Sequence, residues 1–366
     1  MCTLPVGKDA PAALELPGSL LTPLNSASRE AVVSEIALQK QQGADFVKAG
    51  FVSPEVFLAA LQAAKEQGIR LLGHLQDGVD AAVACKAGFA SIEHLGPGAT
   101  VWIACSSAEE RLKTASRPAI KSLPVRIAWL EKLILWRMQT MLINPAAFAP
   151  PQYIEKLQQA LDSFSEEKCR ALCALFVEHG TWHVPTLVRL RTQELADLPE
   201  YANDPYLRFM PQNKIRKWRA VTRKFTKLPA TMRQTYTQAY RQQLGLTKLL
   251  ADNGVRMMTG SDGGWLSGPG LTLQEEFVQL GAAGLSPLQV LQMTTLNAAQ
   301  YLGRTATMGT VEPGRNADLV LLDANPFDNV ASLGRIAAVV RAGFYYSRVQ
   351  LDALRERVAE GRGALQ

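Results

Sequence analysis

The sequence lacks any hydrophobic run that could cross a membrane, because no apolar stretch reaches the roughly 18 residues that a spanning helix needs. Residues 1–8 also lack the basic head and apolar core of a signal peptide. We therefore expect no membrane span and a cytoplasmic location by default, provided that Met1 is the native start. Hydrophobic residues make up 47% and charged residues 20% of the 366-residue chain, as in an ordinary globular protein.

The sequence has few cysteines, and their spacing indicates no pairs. The five cysteines are an odd number and contain no Cys-x-x-Cys pair, so nothing indicates a disulfide scaffold. Two of them lie four residues apart on a predicted helix, a spacing that a metal ion could use, but we favour buried free thiols. The five are Cys2, Cys85, Cys105, Cys169 and Cys173.

Acidic residues are absent between Pro205 and Ala251, whereas that stretch contains eleven Lys or Arg residues. The whole chain has a net charge of +6, so the remainder carries −5. One interpretation is an electropositive lid that attracts an anionic substrate or touches an acidic surface. The other, which we favour, is a solvated helical face with unpaired charges. No recognised nucleic-acid module accompanies the charge, so no nucleic-acid partner is expected.

Short apolar strands alternate with capped helices through the middle of the chain. The helix after the first strand has Ser53 as N-cap, Pro54 in its first turn and Gly68 at its end. Strand–helix–strand units at this spacing indicate an α/β fold with parallel strands joined by right-handed crossovers. Strands are predicted at 45–49, 69–74, 89–94, 181–188 and 255–262, and helices at 54–67, 80–87, 166–179, 240–253, 273–283 and 287–302. In the tail, short strands are predicted at 307–314, 317–323 and 336–343.

Four polar residues stand at or near the carboxyl ends of these strands: Lys48, His74, His94 and Asp262. In a β/α barrel, those ends surround the mouth where active sites are built. The chain has only four histidines, and two of them fall on these ends. Two imidazoles, an amine and a carboxylate on one face predict a metal site.

The motifs around these residues resemble a known family. Residues 43–48, 73–74 with 87–94, and 259–262 look like the signatures of barrel strands four, five, six and eight of the amidohydrolase superfamily, in its imidazolonepropionase-like and Xaa-Pro-dipeptidase-like branch. Residues 286–303 and 309–326 are similar to the closing segment of that family. The matches together span about residues 40–343, with the insertions unmatched.

The resemblance implies a role for each of the four residues. Lys48 would be carboxylated by CO₂ and bridge two divalent ions, which requires a neutral amine and therefore a depressed pKa. His74 and His94 would bind the second metal ion. Asp262 would contact the first ion and act on the water, first as base and then as acid to the leaving amine. One or two ions are expected, with zinc as the expected metal.

Structural alternatives stay open for each residue. Lys48 could be a cation that lines the mouth, the two histidines could be hydrogen-bonded core residues, and Asp262 could stabilise a Gly-Ser-Asp-Gly-Gly turn. His183 and Trp265 are candidate substrate-binding residues, although Trp265 serves equally well as a packing residue.

The resemblance also shows what is missing. The family's first barrel strand carries a His-x-His pair, whereas no histidine precedes His74 here. Five or six strands are predicted where a closed barrel needs eight. We expect residues 1–305 to form an incomplete TIM-like (β/α) barrel with helical insertions at about 95–164 and 190–240, and residues 306–366 to form a small C-terminal β appendage with a tail. The chain is interpreted either as an N-terminally incomplete fragment, with impaired activity and solubility, or as a true short variant.

The function predicted is a metal-dependent hydrolase that cleaves amide, cyclic amide or dipeptide-like C–N bonds. The partner expected is a small-molecule substrate, which the basic stretch suggests carries a carboxylate; a homo-oligomer is left open. One alternative is a metal-free Schiff-base lyase or aldolase using Lys48, which borohydride trapping would reveal. Another is a non-catalytic barrel remnant that binds a partner.

Overall fold

The computed structural model describes residues 20–95, 99–113, 137, 140–263 and 271–361. The strands are β1 Phe46–Ala49, β2 Arg70–Gly73, β3 Ser91–Glu93, β4 Trp182–Val184, β5 Leu319–Leu322, β6 Ile336–Arg341 and β7 Phe344–Ser347. The helices are α1 Arg29–Gln41, α2 Pro54–Glu66, α3 Ala81–Lys86, α4 Thr100–Ala104, α5 Glu109–Lys113, α6 Pro151–Asp162, α7 Glu166–His179, α8 Leu187–Glu194, α9 Pro199–Ala202, α10 Gln212–Thr226, α11 Ala230–Asp252, α12 Thr272–Ala282, α13 Pro287–Thr294, α14 Leu296–Leu302 and α15 Arg348–Gly361. Single 3₁₀ turns occupy Pro145–Phe148, Pro205–Phe209 and Val330–Gly334. Among these helices, none combines the length and apolar character needed to span a bilayer.

A parallel sheet forms the centre of the molecule, in the order β1-β2-β3-β4. Every neighbouring pair is parallel, and helices connect successive strands. The predicted α/β class with parallel strands is therefore confirmed.

The sheet continues by one residue at each edge. Leu21 forms a parallel bridge with Ala49 on one side, and Met257 forms one with His183 on the other. Within the described residues no pairing joins these two edges, so the sheet is open there. The incomplete barrel therefore stays a prediction.

A small apolar cluster covers one face of the sheet. Trp182 and Tyr301 pack edge to face with ring centroids 5.4 Å apart, beside the buried Leu72. Arg70 lies over the Tyr301 ring at 4.6 Å, and Ser91 hydrogen-bonds to the Tyr301 hydroxyl at 3.3 Å. The end of α14 therefore occupies space on the face where opposite strands of a closed barrel would lie.

Local capping explains where several helices begin. Ser53 accepts a hydrogen bond from the Val56 amide at the start of α2, as predicted, and Asp80 caps α3 in the same way. Ser286 forms a complete capping box with Gln289 at the start of α13.

Three predicted elements differ from the structure. The strand expected over 181–188 ends at Val184, and residues 187–194 form helix α8 instead. The strand expected over 255–262 is reduced to the Met257 bridge. The helix expected over 287–302 is broken at Thr295, whose φ of −121° and ψ of −81° are not helical. The apolar pattern predicts continuous elements over these residues, whereas the backbone conformations of Thr186 and Thr295 interrupt the first strand and the helix.

The C-terminal segment forms a separate antiparallel sheet, in the order β5-β6-β7, followed by α15. Strands predicted at 317–323 and 336–343 are present, whereas residues 307–314 form turns rather than the predicted strand. Two glycines with positive φ, Gly309 and Gly314, interrupt that segment.

The prediction of free cysteines is wrong for one pair. Cys105 and Cys169 form a disulfide bond at a sequence separation of 64. Cys85 and Cys173 are buried free thiols, as predicted. Cys2 lies outside the described residues.

The acid-free stretch is largely an amphipathic helix. Ile215, Trp218, Val221 and Phe225 bury one side of α10. The cations of the opposite side, Lys214, Arg216, Lys217, Arg219, Arg223 and Lys224, are exposed. Arg233, on α11, pairs with Asp197 from outside the stretch at 2.8 Å. This arrangement supports the interpretation of a solvated helical face.

Candidate metal centre

The polar residues predicted at strand ends gather at the carboxyl edge of the parallel sheet. Lys48 lies in β1, His74 follows β2 directly, and His94 follows β3. Asp262 follows the Met257 bridge at the sheet's last position. The carboxyl ends of parallel strands meet at one edge, which is why residues far apart in sequence lie together here.

Three side chains form the tightest group. One donor atom from each of His74, Glu93 and His94 lies within 4.8 Å of the other two. The two imidazole rings have centroids 5.2 Å apart, and the centroid of the Phe51 ring lies 5.0 Å from that of His74. Two imidazole nitrogens and a carboxylate oxygen are donors that zinc and similar divalent ions accept, and three such ligands leave a position open.

Lys48 forms an ion pair with Glu93, and both side chains are only 15% exposed. Burial alone would lower the pKa of Lys48, but the adjacent Glu93 carboxylate reverses this and raises it. For Glu93, burial is likewise outweighed by Lys48, and its pKa is lowered. The depressed pKa expected for Lys48 is therefore wrong, because the Glu93 carboxylate, which the sequence prediction does not include, raises it.

Asp262 lies between two cationic or potentially cationic groups. Its Oδ2 is 3.7 Å from Nε2 of His94 and 3.5 Å from Nε of Arg189. Burial raises the pKa of Asp262, but His94 and Arg189 outweigh it and hold the pKa below its ordinary value. Arg189 is itself fixed, since its guanidinium donates to the carbonyls of Leu142 and Ile143 in the insertion.

A hydrogen-bond chain positions His94. Its Nδ1 contacts the hydroxyl of Thr186, the residue that precedes helix α8. The first amides of α8, those of Leu187 and Val188, donate to the buried Glu276 carboxylate at 2.9 and 2.7 Å. With Nδ1 engaged by Thr186, Nε2 of His94 is the nitrogen left to face the cluster.

Backbone strain concentrates at the same place. His94, Thr186 and Asp262 have φ values of 60°, 48° and 43°, in the left-handed region that costs non-glycine residues energy. These conformations turn the side chains away from the strand direction and toward one another.

The protonation states suit a metal ion. Burial lowers the pKa of both His74 and His94, that of His94 to about 3, so both imidazoles are neutral at pH 7. Nδ1 of His74 is buried and has no hydrogen-bond partner within the described part of the chain. A neutral imidazole nitrogen without a partner is a donor that a metal ion would satisfy.

Gly73 allows β2 to approach β1 beside Lys48. Its φ is 116°, and a Cβ added there would lie 2.6 Å from the Ala49 carbonyl oxygen. We expect Gly73→Ala to reduce the free energy of unfolding by about 2–4 kcal/mol, from backbone strain plus overpacking. Urea unfolding measures this. Gly88→Ala is the matched control, because it has φ 90° and open space, and it should lose only the strain part, about 1–2 kcal/mol. Equal losses in both variants would refute the close approach.

His183 lies behind the sheet rather than in the cluster. It pairs in register with Ile92, whose side chain packs in the helix-facing core, whereas Glu93 pairs with Val184. Since successive side chains alternate between faces, His183 points away from Glu93. It is 1% exposed, so the geometry gives no support to the substrate contact predicted for it. The other predicted substrate residue, Trp265, lies outside the described residues.

Burial lowers the pKa of His183 to about 4, despite a backbone hydrogen bond to Ile92 that opposes the shift. Because the folded-state pKa is below the unfolded value of 6.5, its contribution to stability is complete above pH 6.5. It is lost as pH falls from 6.5 towards 4, by up to about 3 kcal/mol. We expect His183→Gln to unfold with a shallower pH dependence across that window. An unchanged slope in urea titrations at pH 4.5 and 7 would contradict a buried neutral imidazole.

The sequence reading missed three groups that the site brings together: Glu93, Arg189 and Thr186. Glu93 could have been recognised from the sequence, because it directly precedes His94 and its side chain is expected on the same face of the sheet as that of Lys48. Thr186 and Arg189 had none, since Thr186 lies in the strand predicted over 181–188 and Arg189 lies just after it, at the start of the predicted insertion.

A family model described as the amidohydrolase family matches residues 160–345. Imidazolonepropionase of Shouchella clausii (strain KSM-K16) is 39% identical over 62 residues, which are 16% of this chain and 14% of that protein. Adenine deaminase 3 of Rhizobium meliloti (strain 1021) is 43% identical over 58 residues, 15% of this chain and 10% of that protein.

Two solved structures are similar in fold. Bottromycin amidohydrolase aligns with a TM-score of 0.62 and 20% identity, over 91% of this chain and 62% of that one. A prolidase complexed with N-methylphosphonate-L-proline aligns with a TM-score of 0.51 and 18% identity, over 92% of this chain and 65% of that one. The chain thus covers less than two thirds of these structures and at most 14% of the two curated relatives.

Proposed function

Because this chain belongs to the amidohydrolase family, we propose that it hydrolyses a C–N bond of a small molecule with a divalent metal ion held by His74, Glu93 and His94. The observation that carries the proposal is the grouping of these three donor atoms within 4.8 Å at the carboxyl edge of the sheet. When bound, the ion would polarise the scissile carbonyl and lower the pKa of a water molecule to about 7. Zinc is the ion we propose, since its common ligands are of this type.

Asp262 is the group we assign to proton transfer. Its Oδ2 lies 3.7 Å from Nε2 of His94, at the border of the cluster rather than inside it. An ionised carboxylate there can accept a proton from the attacking water and return it to the leaving amine. Arg189 holds that carboxylate ionised and oriented.

Lys48 forms an ion pair with Glu93. If Glu93 served as a metal ligand, Lys48 would lose this partner, and its amine could take up CO₂ as the family resemblance implies. While this ion pair is intact, it opposes carboxylation and Schiff-base formation alike, because both need a neutral amine and the pKa of Lys48 is raised.

The substrate class follows from the relatives. Proteins named imidazolonepropionase and adenine deaminase share segments with this chain, which supports C–N bonds within a ring or between a ring and an amino group. Screening should therefore include cyclic amides, N-acyl amino acids and dipeptides, each with and without a free carboxylate. The carboxylate-bearing substrate suggested by the basic stretch is one arm of that screen.

The test is turnover by purified protein reconstituted with Zn²⁺, followed as released amine or ammonia. We expect hydrolysis of at least one class, abolished by a chelator and restored by added metal. Metal binding without any turnover would favour the non-catalytic remnant. Borohydride-trapped adducts at Lys48 together with chelator-insensitive turnover would replace hydrolysis with the Schiff-base alternative.

A further inference from the structure

A cavity of about 80 Å³ lies beside the loop that carries His74. Asp77 and Asp80 of that loop line one side, and Lys113 and Lys156 from the insertion line the other. Asp77 is three residues after His74, so their backbones are separated by roughly 11 Å at most. The cavity is therefore at the mouth of the sheet, within reach of a substrate bound at the cluster.

Two of the four charged groups already satisfy each other. Nζ of Lys113 lies 2.6 Å from the Asp80 carboxylate and 2.7 Å from that of Glu109. The other two form a longer ion pair, since Nζ of Lys156 is 3.7 Å from Oδ1 of Asp77, which is too far for a hydrogen bond.

The two side chains differ in exposure, at 9% for Lys156 and 21% for Asp77. Oδ1 of Asp77 is nevertheless buried without a hydrogen-bond partner within the part of the chain that the structure describes. This carboxylate oxygen therefore has unused hydrogen-bonding capacity beside the cavity, which is costly unless a ligand or water supplies the missing bond.

The chemistry of the pair selects the ligand. A free carboxylate would meet the negative charge of Asp77, and an ammonium group would meet the positive charge of Lys156. A primary carboxamide satisfies both, since its oxygen accepts from Lys156 and its NH₂ donates to Asp77. The cavity exceeds the roughly 15 Å³ that one water needs, so a group of three heavy atoms fits.

We propose that this cavity binds a carboxamide arm of the substrate and so sets specificity; its assignment to substrate rests on the proposed function. Gln76 fixes the position of the loop that carries Asp77. Its side chain donates to the carbonyls of His74 and Gly50 at 2.7 and 2.9 Å and accepts from the Val52 amide at 3.1 Å. The buried Gln76 thereby fixes the loop between His74 and Asp77, and an arm held at Asp77 has a set distance to the cluster.

Ligand-observed NMR on the full chain tests the binding chemistry with two probes of equal size, propionamide and propionate. The native protein should bind propionamide roughly tenfold more tightly, because propionate leaves a buried charge conflict. In Asp77→Asn the negative charge is gone, and the preference should reverse to propionate. In Lys156→Met, binding of both probes should be lost. A gain of propionate binding in Asp77→Asn cannot come from misfolding.

A native protein that binds neither probe, or binds both equally, overturns the carboxamide pocket and leaves a cavity filled by water only. Metal content measured on the same sample separates the two proposals. Protein that binds metal but not propionamide overturns the pocket alone. Protein that binds propionamide but no metal overturns the proposed function.

A separate experiment measures how close the bound amide lies to the metal centre. With Mn²⁺ as the added metal, propionamide proton relaxation should be strongly enhanced, and His74→Ala should abolish that enhancement while the probe still binds. Absence of enhancement in the native protein would place the bound amide away from the reacting centre and overturn its role as a substrate arm.

Discussion

Replacing His94 with alanine is expected to abolish divalent metal binding and, with it, all detectable hydrolysis. His94 belongs to the three-donor group, and its ring is held by Thr186. Loss of a group that only orients a ligand weakens metal affinity roughly 10- to 100-fold, so loss of the ligand itself should exceed that. Metal content after dialysis, measured by mass spectrometry, gives the result without any need for a substrate.

Two further variants grade this effect. Thr186→Val removes only the hydroxyl that contacts His94, and should weaken metal affinity by the smaller, roughly 10- to 100-fold factor. His179→Ala is the matched histidine control at the end of α7, and should keep full metal content. Retention of metal in His94→Ala would show that the ion, if any, binds elsewhere.

Replacing Asp262 with asparagine is expected to reduce kcat roughly 10²- to 10⁴-fold while the metal content stays the same. The reduction follows from removing the group that accepts and returns the proton. The unchanged metal content follows because Asp262 lies outside the three-donor group. Steady-state kinetics and metal analysis on one preparation measure both quantities.

Asp252→Asn provides the matched control, because Asp252 is an exposed carboxylate at the end of α11 that pairs with Lys248. It should change neither kcat nor metal content. If Asp262→Asn loses metal together with activity, then Asp262 is a ligand, and the arrangement with Arg189 as its neighbour does not describe the loaded site.

Much of the site could be predicted from local pattern. Lys48, His74 and His94 each end a short apolar run, and parallel strands bring such ends to one edge whatever the sequence distance between them. The structure does bring these three side chains to one edge, with Asp262 beside them. What each residue does there remains a proposal.

The parts that could not be predicted depend on contacts between distant segments. Helix α8, which carries Arg189, overlaps the end of the strand predicted over 181–188. Glu276, nearly ninety residues later, accepts hydrogen bonds from the Leu187 and Val188 amides and allows the helix to start there. The Cys105–Cys169 bond joins an insertion helix to α7. The spacing of residues along the sequence predicts neither the Glu276 contact nor the disulfide bond. The pKa shift of Lys48 could not be predicted for the same reason, since its direction is set by Glu93 from another strand.

Anomalous X-ray diffraction at the zinc edge, on crystals of the Zn²⁺-loaded chain, tests the central claim most directly. We predict one strong peak per chain at about 2.0–2.2 Å from a nitrogen of His74, a nitrogen of His94 and a carboxylate oxygen of Glu93. A peak that these three side chains do not share, or no peak at full zinc occupancy in solution, would contradict it.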